Sequence, residues 1–304
     1  MSEQAETRVL EVGGRKVEIS RPDKLLFPDD GISKYDLAEY YARIAPTALR
    51  HYRGRALTMH RFPDGIGEEG FFQKQIGEHF PDWVDRVTLP KRDGEVTYVV
   101  AYKEATLVYL ADQACIEPHL SLSRIDRPQY PDRMIFDLDP SDEDFGKVRR
   151  AAMILKDLLD RTGLNTYIQT TGSRGLHLVV PLDRHADFES VRAFTHALCR
   201  RAAAEDPELM TTEQRKNKRG DRVFLDDLRN AYGQTAVAPY AVRAKPGAPI
   251  ATPIRWEEVD SDLHPQRYHI GNIFQRMSRV DDPWQDIARH ACRLPTIESI
   301  PASD

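Results

Sequence analysis

The chain has 304 residues, of which 40% are hydrophobic and 30% charged, and this length predicts about two domains or one large α/β unit. Its formal net charge of -5 argues against a protein that simply coats nucleic acid. A protein with this net charge can still carry a local basic groove, because electrostatic fields act through patches of the surface. The three cysteines include no Cys-x-x-Cys pair, which argues against a disulfide framework and a zinc ribbon. No apolar stretch is long enough to span a bilayer, which argues against a membrane partner. Together these features predict a soluble cytoplasmic protein.

The N-terminal part is predicted to form a hairpin followed by an amphipathic helix. Gly13-Gly14 is a turn signal between the two strand-like segments of residues 8–20, because glycine adopts the positive φ of a tight turn. Ser33 is a typical N-cap for a helix from Lys34 to about Arg50, whose apolar residues recur at helical spacing. After this helix the chain becomes basic as far as Arg61.

Two adjacent aromatic residues, Phe71 and Phe72, follow the basic stretch and precede Lys74. They admit two interpretations: they belong to the core, or they form a stacking platform beside a phosphate contact. Further along, the sequence predicts strands over residues 87–90 and 96–100. The apolar residues 106–116 predict a buried helix that leads into a strand.

The second half of the chain alternates predicted strands and helices. The predicted strands cover residues 134–140, 166–170, 176–182 and 223–227, with a short extended piece at 237–243. The predicted helices begin after Asp142 or Asp144, after Asp187, and near residue 270, and Gly163 is placed to end the first of them. This order predicts an α+β fold with a mixed or antiparallel sheet, not a doubly wound nucleotide fold.

Three aspartates end predicted strands that have apolar residues behind them: Asp137, Asp139 and Asp226. Because side chains alternate along a strand, Asp137 and Asp139 share a face, and their charges repel unless a cation lies between them. Nucleotidyl transfer uses such carboxylates to hold two divalent cations about 3.5–4 Å apart, and hard oxygen ligands favour Mg²⁺ or Mn²⁺. The alternative, that strand-end aspartates only cap turns, stays open, and the sequence alone does not bring Asp226 to the pair.

A glycine-rich turn at residues 171–175 joins two predicted strands and is followed by His177. Its backbone N–H groups could form an anion nest, and Arg174 could neutralise a phosphate. The alternative is an ordinary hairpin turn with an exposed arginine. Arg243 is a second candidate for a phosphate contact. Each basic residue of the N-terminal part taken alone fits a solvated surface charge, and together with Phe71 and Phe72 they suggest a groove that tracks a nucleic-acid strand.

Three motifs of this sequence, in order and at this spacing, resemble those of the archaeo-eukaryotic primase superfamily. They are Asp137-Leu138-Asp139, Ser173-Arg174-Gly175-Leu176-His177-Leu178 and Val223-Phe224-Leu225-Asp226. The chain is more closely similar to the polymerase domain of the prokaryotic end-joining ligase D. That resemblance covers nearly the whole chain and includes the segments of residues 23–28, 71–75, 117–119 and 238–243.

The resemblance implies a primase-polymerase fold, with mixed and antiparallel sheets flanked by helices, over residues 1–304. It implies a DNA-contacting surface in residues 1–120 and a catalytic core with the metal and nucleotide sites in residues 121–304. The implied activity is that of a nucleotidyltransferase: template-directed addition of nucleotides, with ribonucleotides preferred, at DNA breaks or gaps in non-homologous end joining.

The resemblance also implies roles for individual residues. The implied metal ligands and catalytic residues, for two Mn²⁺ or Mg²⁺ ions, are Asp137, Asp139 and Asp226. The implied contacts to the incoming nucleotide are Ser173, Arg174, Gly175, His177, His119 and Arg243. The implied DNA contacts are Lys24 and Lys34 to the 5′-phosphate of the downstream strand, and Arg61, Phe71, Phe72 and Lys74 around the template.

Two positions depart from the family pattern. Arg174 stands where a lysine is common, and Asp227 follows Asp226 where the family often has an aromatic residue. Asp227 could therefore be mistaken for the metal ligand, but the register of residues 223–226 favours Asp226. The one Lys-x-Asp-Gly string, Lys91-Arg92-Asp93-Gly94, lies between the strands predicted over residues 87–90 and 96–100, within the part that resembles the polymerase domain. We therefore expect a free-standing polymerase or an excised domain.

The expected partners are DNA ends or gapped DNA with a 5′-phosphate, nucleoside triphosphates, the end-binding protein Ku and a separate DNA ligase, at the nucleoid. Three alternatives stay open. The first is a primase that starts nucleic-acid strands de novo, and the second is a non-catalytic nucleic-acid-binding module of the same fold. The third is a nucleotide-sugar transferase that uses Asp-x-Asp for its metal. The last gives no reason for the basic and aromatic N-terminal half.

Overall fold

The computed structural model describes residues 6–302, so the first five and last two residues of the expected 1–304 unit lie outside the described residues. The structure divides into two compact units. The first contains the residues up to Ser121 together with Val237–Ala251 and His269–Ile273. The second contains Leu122–Ala236, Thr252–Tyr268 and the residues from Phe274 onward. No pattern in the sequence indicated that two late segments belong to the first unit.

The described residues form strands and helices in the following order. The strands are β1 (Thr7–Val12), β2 (Arg15–Ser20), β3 (Leu25–Phe27), β4 (Ile32–Ser33), β5 (Ala56–Arg61), β6 (Phe71–Gln73), β7 (Arg86–Lys91), β8 (Gly94–Val100), β9 (Cys115–Ser121), β10 (Arg133–Asp139), β11 (Tyr167–Thr170), β12 (Leu176–Pro181), β13 (Met210–Thr211), β14 (Val223–Asp226), β15 (Thr235–Val237) and β16 (Pro253–Ile254). The helices are α1 (Lys34–Tyr52), α2 (Glu104–Asp112), α3 (Phe145–Arg161), α4 (Phe188–Glu205) and α5 (Ile273–Met277).

The sheet of the first unit is antiparallel and centres on β5. Its strands lie in the order β9-β5-β8-β7, and β6 also pairs with β5. Helix α1 buries a stripe of apolar residues that includes Leu37, Tyr41, Ile44 and Ala48, which is the spacing of one helical face. Its N-terminus is fixed by a reciprocal capping box between Ser33 and Asp36, so the predicted cap is confirmed.

The sheet of the second unit has six strands in the order β13-β14-β10-β12-β11-β16. Strands β13 and β14 are parallel, and the other pairs are antiparallel, so the predicted mixed sheet is confirmed. Phe136 and Leu138 of β10 point into a core that contains Leu155 of α3 and Phe194 of α4. Ile135 belongs to a separate apolar cluster, because alternate residues of a strand face opposite sides.

Local signals located most helix ends correctly. Asp144 and Asp187 accept backbone N–H bonds at the starts of α3 and α4. Gly163 has a positive φ just after α3, where a left-handed residue ends many helices. The helix predicted around residues 270–279 is shorter, because His269 donates its N–H to Asn272 Oδ1 in a turn that delays the start to Ile273.

The segment predicted to be extended at residues 237–243 is a strand only at its first residue. Tyr240 has a positive φ of 64°, and the Ala241 N–H bonds back to the Ala238 carbonyl, so the chain turns there. No helix within residues 6–302 is both long and apolar enough to cross a membrane.

Candidate active site

The carboxylates of the first and third motifs lie on neighbouring strands of the second unit. Asp137 of β10 is directly opposite Asp226 of β14 in the antiparallel register. Asp139 follows two residues later on β10, so it shares the face of Asp137. Leu138, between them, is fully buried among the helices on the other face. Residues that lie 89 positions apart in sequence, Asp137 and Asp226, are thus brought together by strand pairing.

The electrostatics of these carboxylates favour a bound cation. Burial raises the pKa of Asp139, and the negative charge of Asp137 raises it further. Burial also raises the pKa of Asp226, to which the Asp137 charge adds. Burial opposes ionisation of Asp137 too, but His177 and Arg229 lower its pKa below the usual value. Three oxygen-donor side chains on one rigid sheet fit a divalent cation such as Mg²⁺ or Mn²⁺, whose charge offsets this repulsion.

The row of polar residues continues across the sheet. His177 of β12 is opposite Asp137, and Gln169 of β11 is opposite His177. The His177 Nε2 atom lies 3.3 Å from Asp137 Oδ1, and the Gln169 Nε2 atom lies 3.2 Å from His177 Nδ1. An amide nitrogen only donates, so in this arrangement His177 Nδ1 accepts and its Nε2–H donates to Asp137. Gln169 therefore fixes the imidazole that contacts the central aspartate.

Sequence reasoning missed both Gln169 and Arg229. Gln169 had a usable signal, because a hairpin closed by the turn at residues 171–175 pairs position 169 with position 177. Arg229 Nε lies 3.5 Å from Asp137 Oδ2 and 4.0 Å from Asp226 Oδ2, and its only sequence signal is its place three residues after Asp226. It brings positive charge to the carboxylates from a short 3₁₀ helix.

Asp227, the residue that could be mistaken for the ligand, lies in a different environment. Its Oδ2 atom is 3.0 Å from His196 Nδ1 of α4, and its side chain is buried. Asp226 instead accepts the Leu228 N–H through Oδ1. The strand register therefore gives the place opposite Asp137 to Asp226 and not to its neighbour.

The turn of the second motif packs directly against β10. Thr171 Oγ1 accepts the N–H groups of Ser173 and Gly175, so two donors of the predicted anion nest are already engaged. A Cβ atom on Gly175 would lie 2.1 Å from the Leu138 carbonyl oxygen, so only glycine allows this approach. Arg174 is exposed, and its charge lowers the pKa of Asp139 against the larger effects of burial and Asp137.

In the first unit, His119 and Arg243 share one buried carboxylate, that of Glu117. Arg243 Nε donates to Glu117 Oε1 at 3.0 Å, and His119 Nε2 lies 3.5 Å from Glu117 Oε2. His60 Nδ1 lies 2.9 Å from the same Oε2 atom. Among the described residues, the ring nitrogens of His60 and His119 and a Glu117 oxygen lie within 4.8 Å of one another, close enough to hold a metal ion.

Phe71 and Phe72 are not core residues, because their exposed fractions are 46% and 59%. The ring of Phe72 stacks on His60 with centroids 4.0 Å apart, and Phe71 lies under the Arg61 guanidinium at 5.6 Å. Arg61 itself is held by the Gln113 carbonyl and by Gln73 Oε1. Of the two interpretations of this pair, exposure favours the stacking platform. Lys74 is exposed just after it.

Lys24 and Lys34 are adjacent in the first unit, since the Lys34 N–H donates to the Lys24 carbonyl at 2.8 Å. Lys24 Nζ donates to Asp64 Oδ1 at 2.7 Å. Lys34 is 3% exposed, and its Nζ donates to the Ser20 carbonyl at 2.7 Å and to Asp112 Oδ1 at 3.4 Å. Each lysine of the expected 5′-phosphate pocket is thus already paired with an acidic side chain.

Sequence comparison relates the chain to one family of polymerases. The family model described as LigD, primase-polymerase domain, matches residues 33–284. The multifunctional non-homologous end joining DNA repair protein LigD of Mycobacterium tuberculosis is 32% identical over 277 residues, which cover 88% of this chain and 36% of that protein. The bifunctional non-homologous end joining protein LigD of Bacillus subtilis is 32% identical over 277 residues, which cover 90% of this chain and 44% of that protein. The chain thus spans less than half the length of these relatives.

Structural comparison relates the chain to the same family. The polymerase domain of Mycobacterium tuberculosis ligase D, solved in complex with DNA, matches with a TM-score of 0.84 and 31% sequence identity, over 90% of this chain and 99% of that one. The resemblance stated from the three motifs is therefore confirmed, as is the α+β fold with mixed and antiparallel sheets. The chain belongs to the LigD primase-polymerase domain family, whose members are polymerase-type nucleotidyltransferases.

Proposed function

We propose that this protein adds nucleotides to DNA ends or gaps under the direction of a template strand, as a step of non-homologous end joining. Its relatives are named as non-homologous end joining proteins, and the solved relative was bound to DNA. Its substrates are nucleoside triphosphates, with ribonucleotides preferred, and gapped DNA with a downstream 5′-phosphate. Ku and a separate DNA ligase are the proposed partners, and the proposed location is the nucleoid in the cytoplasm.

One observation carries the proposal: Asp226, Asp137 and His177 form a row across three paired strands, with Asp139 on the same face as Asp137. This arrangement concentrates carboxylates next to the turn that carries the second motif. A sheet holds such a row with little freedom, because every member is fixed by the register of its neighbours.

The three aspartates would hold two divalent cations, Mn²⁺ or Mg²⁺, and such ions activate the attacking hydroxyl and neutralise the charge of the triphosphate. The donor set fits them, since all three ligands are carboxylates and the nearby cationic side chains still leave the pKa values of Asp139 and Asp226 above their usual values. His177 orients Asp137 by donating to its Oδ1 atom. The charges of His177 and, to a smaller extent, Arg229 lower the pKa of Asp137.

The remaining predicted residues are proposed to bind the substrates. In the core of residues 121–304, Ser173, Arg174, Gly175 and His177 contact the triphosphate. In the part before it, residues 1–120, Arg61, Phe71, Phe72 and Lys74 contact the template. Lys24 and Lys34 form the pocket for the downstream 5′-phosphate, with Lys24 as the exposed contact and the buried Lys34 behind it. His119 and Arg243 contact the incoming nucleotide. Exposure of the two phenylalanine rings supports stacking with bases.

Primer extension on a 5′-phosphorylated gapped duplex tests the function, with ribo- and deoxynucleotides and with Mn²⁺ or Mg²⁺. Loss of a residue that hydrogen-bonds to a metal ligand typically lowers activity roughly 10–100-fold. Asp226→Asn changes a proposed ligand itself, so it should lower the rate of primer extension by more than that. Gap binding, measured by fluorescence anisotropy at one fixed salt concentration, should persist in the variant, because phosphate contacts dominate affinity.

Asp157→Asn on the exposed face of α3 is the matched control and should extend the primer like the wild type. A wild type that binds the gap but never extends a primer would instead indicate a non-catalytic binding module. Synthesis from a single-stranded template without any primer would indicate a primase. Extension by Asp226→Asn at the wild-type rate would refute the assignment of the metal ligands.

A further inference from the structure

Glu117 is a buried carboxylate whose two oxygens are both occupied by groups of the protein. The residue is 4% exposed in the middle of β9. Oε1 accepts from Arg243 Nε at 3.0 Å and from the Ala244 N–H at 2.7 Å. Oε2 lies 2.9 Å from His60 Nδ1 and 3.5 Å from His119 Nε2. Burial opposes ionisation, but the bonds from His119 and His60 and the charge of Arg243 hold the pKa of Glu117 far below its usual value.

The register of the sheet explains why these groups converge. Glu117 is opposite His60 of β5, and His119 follows two residues later on the same face of β9. On the far side of His60, Phe72 of β6 is its direct cross-strand partner and stacks on its ring. The Phe72 ring also meets His119 edge to face, with centroids 5.3 Å apart. One carboxylate therefore supports two sets of side chains: His119 with Arg243, and His60 with Phe72.

We propose that Glu117 is a positioning residue for nucleotide addition, which holds the nucleotide contacts His119 and Arg243 and the template-stacking ring of Phe72 in one fixed arrangement. The inference rests on the proposed function of those three residues. Glu117 holds Arg243 by Nε, the guanidinium nitrogen nearest the chain, and this fixes the direction in which the other two nitrogens point. A carboxylate that orders two substrate contacts before binding lowers the entropic cost of binding.

A metal site at His60, Glu117 and His119 is the competing explanation. The distances permit it, but Oε1 of Glu117 already accepts from the cationic Arg243 and from a backbone N–H. The negative charge is thus compensated by the protein itself, and an ion bound there would have to compete with the Arg243 guanidinium. Positioning accounts for all four contacts of the carboxylate without an added cation.

Glu117→Gln tests the proposal, because it keeps the size of the side chain but removes its charge. Glu39→Gln, an exposed position on α1, is the matched control. With the full chain, Mn²⁺ and a 5′-phosphorylated gap, the KM for the incoming ribonucleotide should rise roughly 10- to 100-fold in Glu117→Gln, while kcat changes less. Glu117→Asp, which retains the charge on a shorter stem, should give an intermediate KM.

The outcomes separate the possible failures. An active wild type whose KM is unchanged in both Glu117 variants overturns the positioning role and leaves the proposed function intact. A wild type without polymerase activity overturns both. A fall in kcat that follows the loss of folded protein, measured by circular dichroism, with an unchanged KM, indicates a merely structural carboxylate. A transition metal that copurifies with the wild type and is lost in Glu117→Gln overturns positioning in favour of a metal site. If Glu117→Gln does not fold, the KM of Glu117→Asp decides.

Discussion

Lys24 and Lys34 have the same side chain and neighbouring backbones but very different surroundings. Lys34 is almost fully buried, and burial lowers its pKa against the opposing charge of Asp112. Lys24 retains 24% exposure of its side chain and faces Asp64, whose pKa its hydrogen bond lowers. Of the two, Lys24 presents more of its side chain to solvent, so we propose it as the direct contact to a 5′-phosphate. Lys34 is better placed to order Ser20 and Asp112 behind it.

At the residue scale we therefore predict opposite effects from two substitutions. Lys24→Ala should weaken binding to gaps that carry a 5′-phosphate by roughly tenfold or more, because a charged hydrogen bond to a dianion is lost. Asp64→Asn should strengthen the same binding by about a few-fold, because Lys24 no longer pairs with an exposed carboxylate. Anisotropy at one fixed salt concentration measures both, with unphosphorylated gaps as the control. Equal effects on the two kinds of gap would contradict this assignment.

The element that does most to assemble the candidate site is the turn of residues 171–175. It connects β11 to β12, and the register of that hairpin sets Gln169 beside His177. The same turn approaches β10 so closely that Gly175 has no room for a side chain. The hairpin and β10 therefore meet at one glycine, and a change there should reach the aspartates through the backbone of Leu138.

We predict that Gly175→Ala costs about 1–3 kcal/mol of stability, as overpacking of a tight contact does, and lowers primer extension by roughly 100-fold through displacement of β10. Gly67→Ala is the control, because nothing lies within 4 Å of a Cβ built there. Urea unfolding gives the stability and a gapped-duplex assay gives the rate. Normal extension by a destabilised Gly175→Ala would show that the turn is structural only.

At the scale of the whole molecule, the first unit includes the late segment Val237–Ala251, which is hydrogen-bonded to helix α1. The Tyr40 hydroxyl of α1 donates to the Tyr240 carbonyl at 2.7 Å, and the Val242 N–H donates to the Tyr41 hydroxyl at 3.2 Å. Both tyrosines are buried, so these hydrogen bonds tie α1 to residues 240–242 away from water. A fragment that stops near residue 121 would lack them.

The carboxylate cluster should make the stability of the protein depend on divalent cations. At a Mn²⁺ concentration about 100-fold above its Kd, the folded state should gain about 2.7 kcal/mol and the melting temperature should rise. Asp139→Asn should remove most of this shift. The same substitution should raise the melting temperature without Mn²⁺, because one of three mutually repelling carboxylates is gone.

Scanning fluorimetry with Mn²⁺ or with a chelator measures both effects, and Asp157→Asn on exposed α3 is the control. A Mn²⁺-dependent shift of the same size in Asp139→Asn would mean that the cation binds elsewhere. A lower melting temperature of Asp139→Asn in the chelator would mean that Asp139 stabilises the fold by itself.

Features fixed by neighbouring residues could be predicted from the sequence. The caps at Ser33, Asp144 and Asp187 were predictable because an N-cap bonds to backbone only two or three residues away. The shared face of Asp137 and Asp139 follows from strand alternation alone. The three motifs, through resemblance, also gave the fold class and the family.

Features that depend on distant chain were decided only by the tertiary structure. Strand register placed Asp226 opposite Asp137 and His60 opposite Glu117, and no local pattern encodes which strands pair. The tertiary structure buries Lys34 and exposes Phe72, whereas a lysine is usually exposed and a phenylalanine usually buried. The Asp137–Asp139 strand was therefore predictable as an element. Its neighbours Gln169, His177 and Asp226 are brought to it by the pairing of β10, β11, β12 and β14, and Arg229 by the 3₁₀ helix that follows β14.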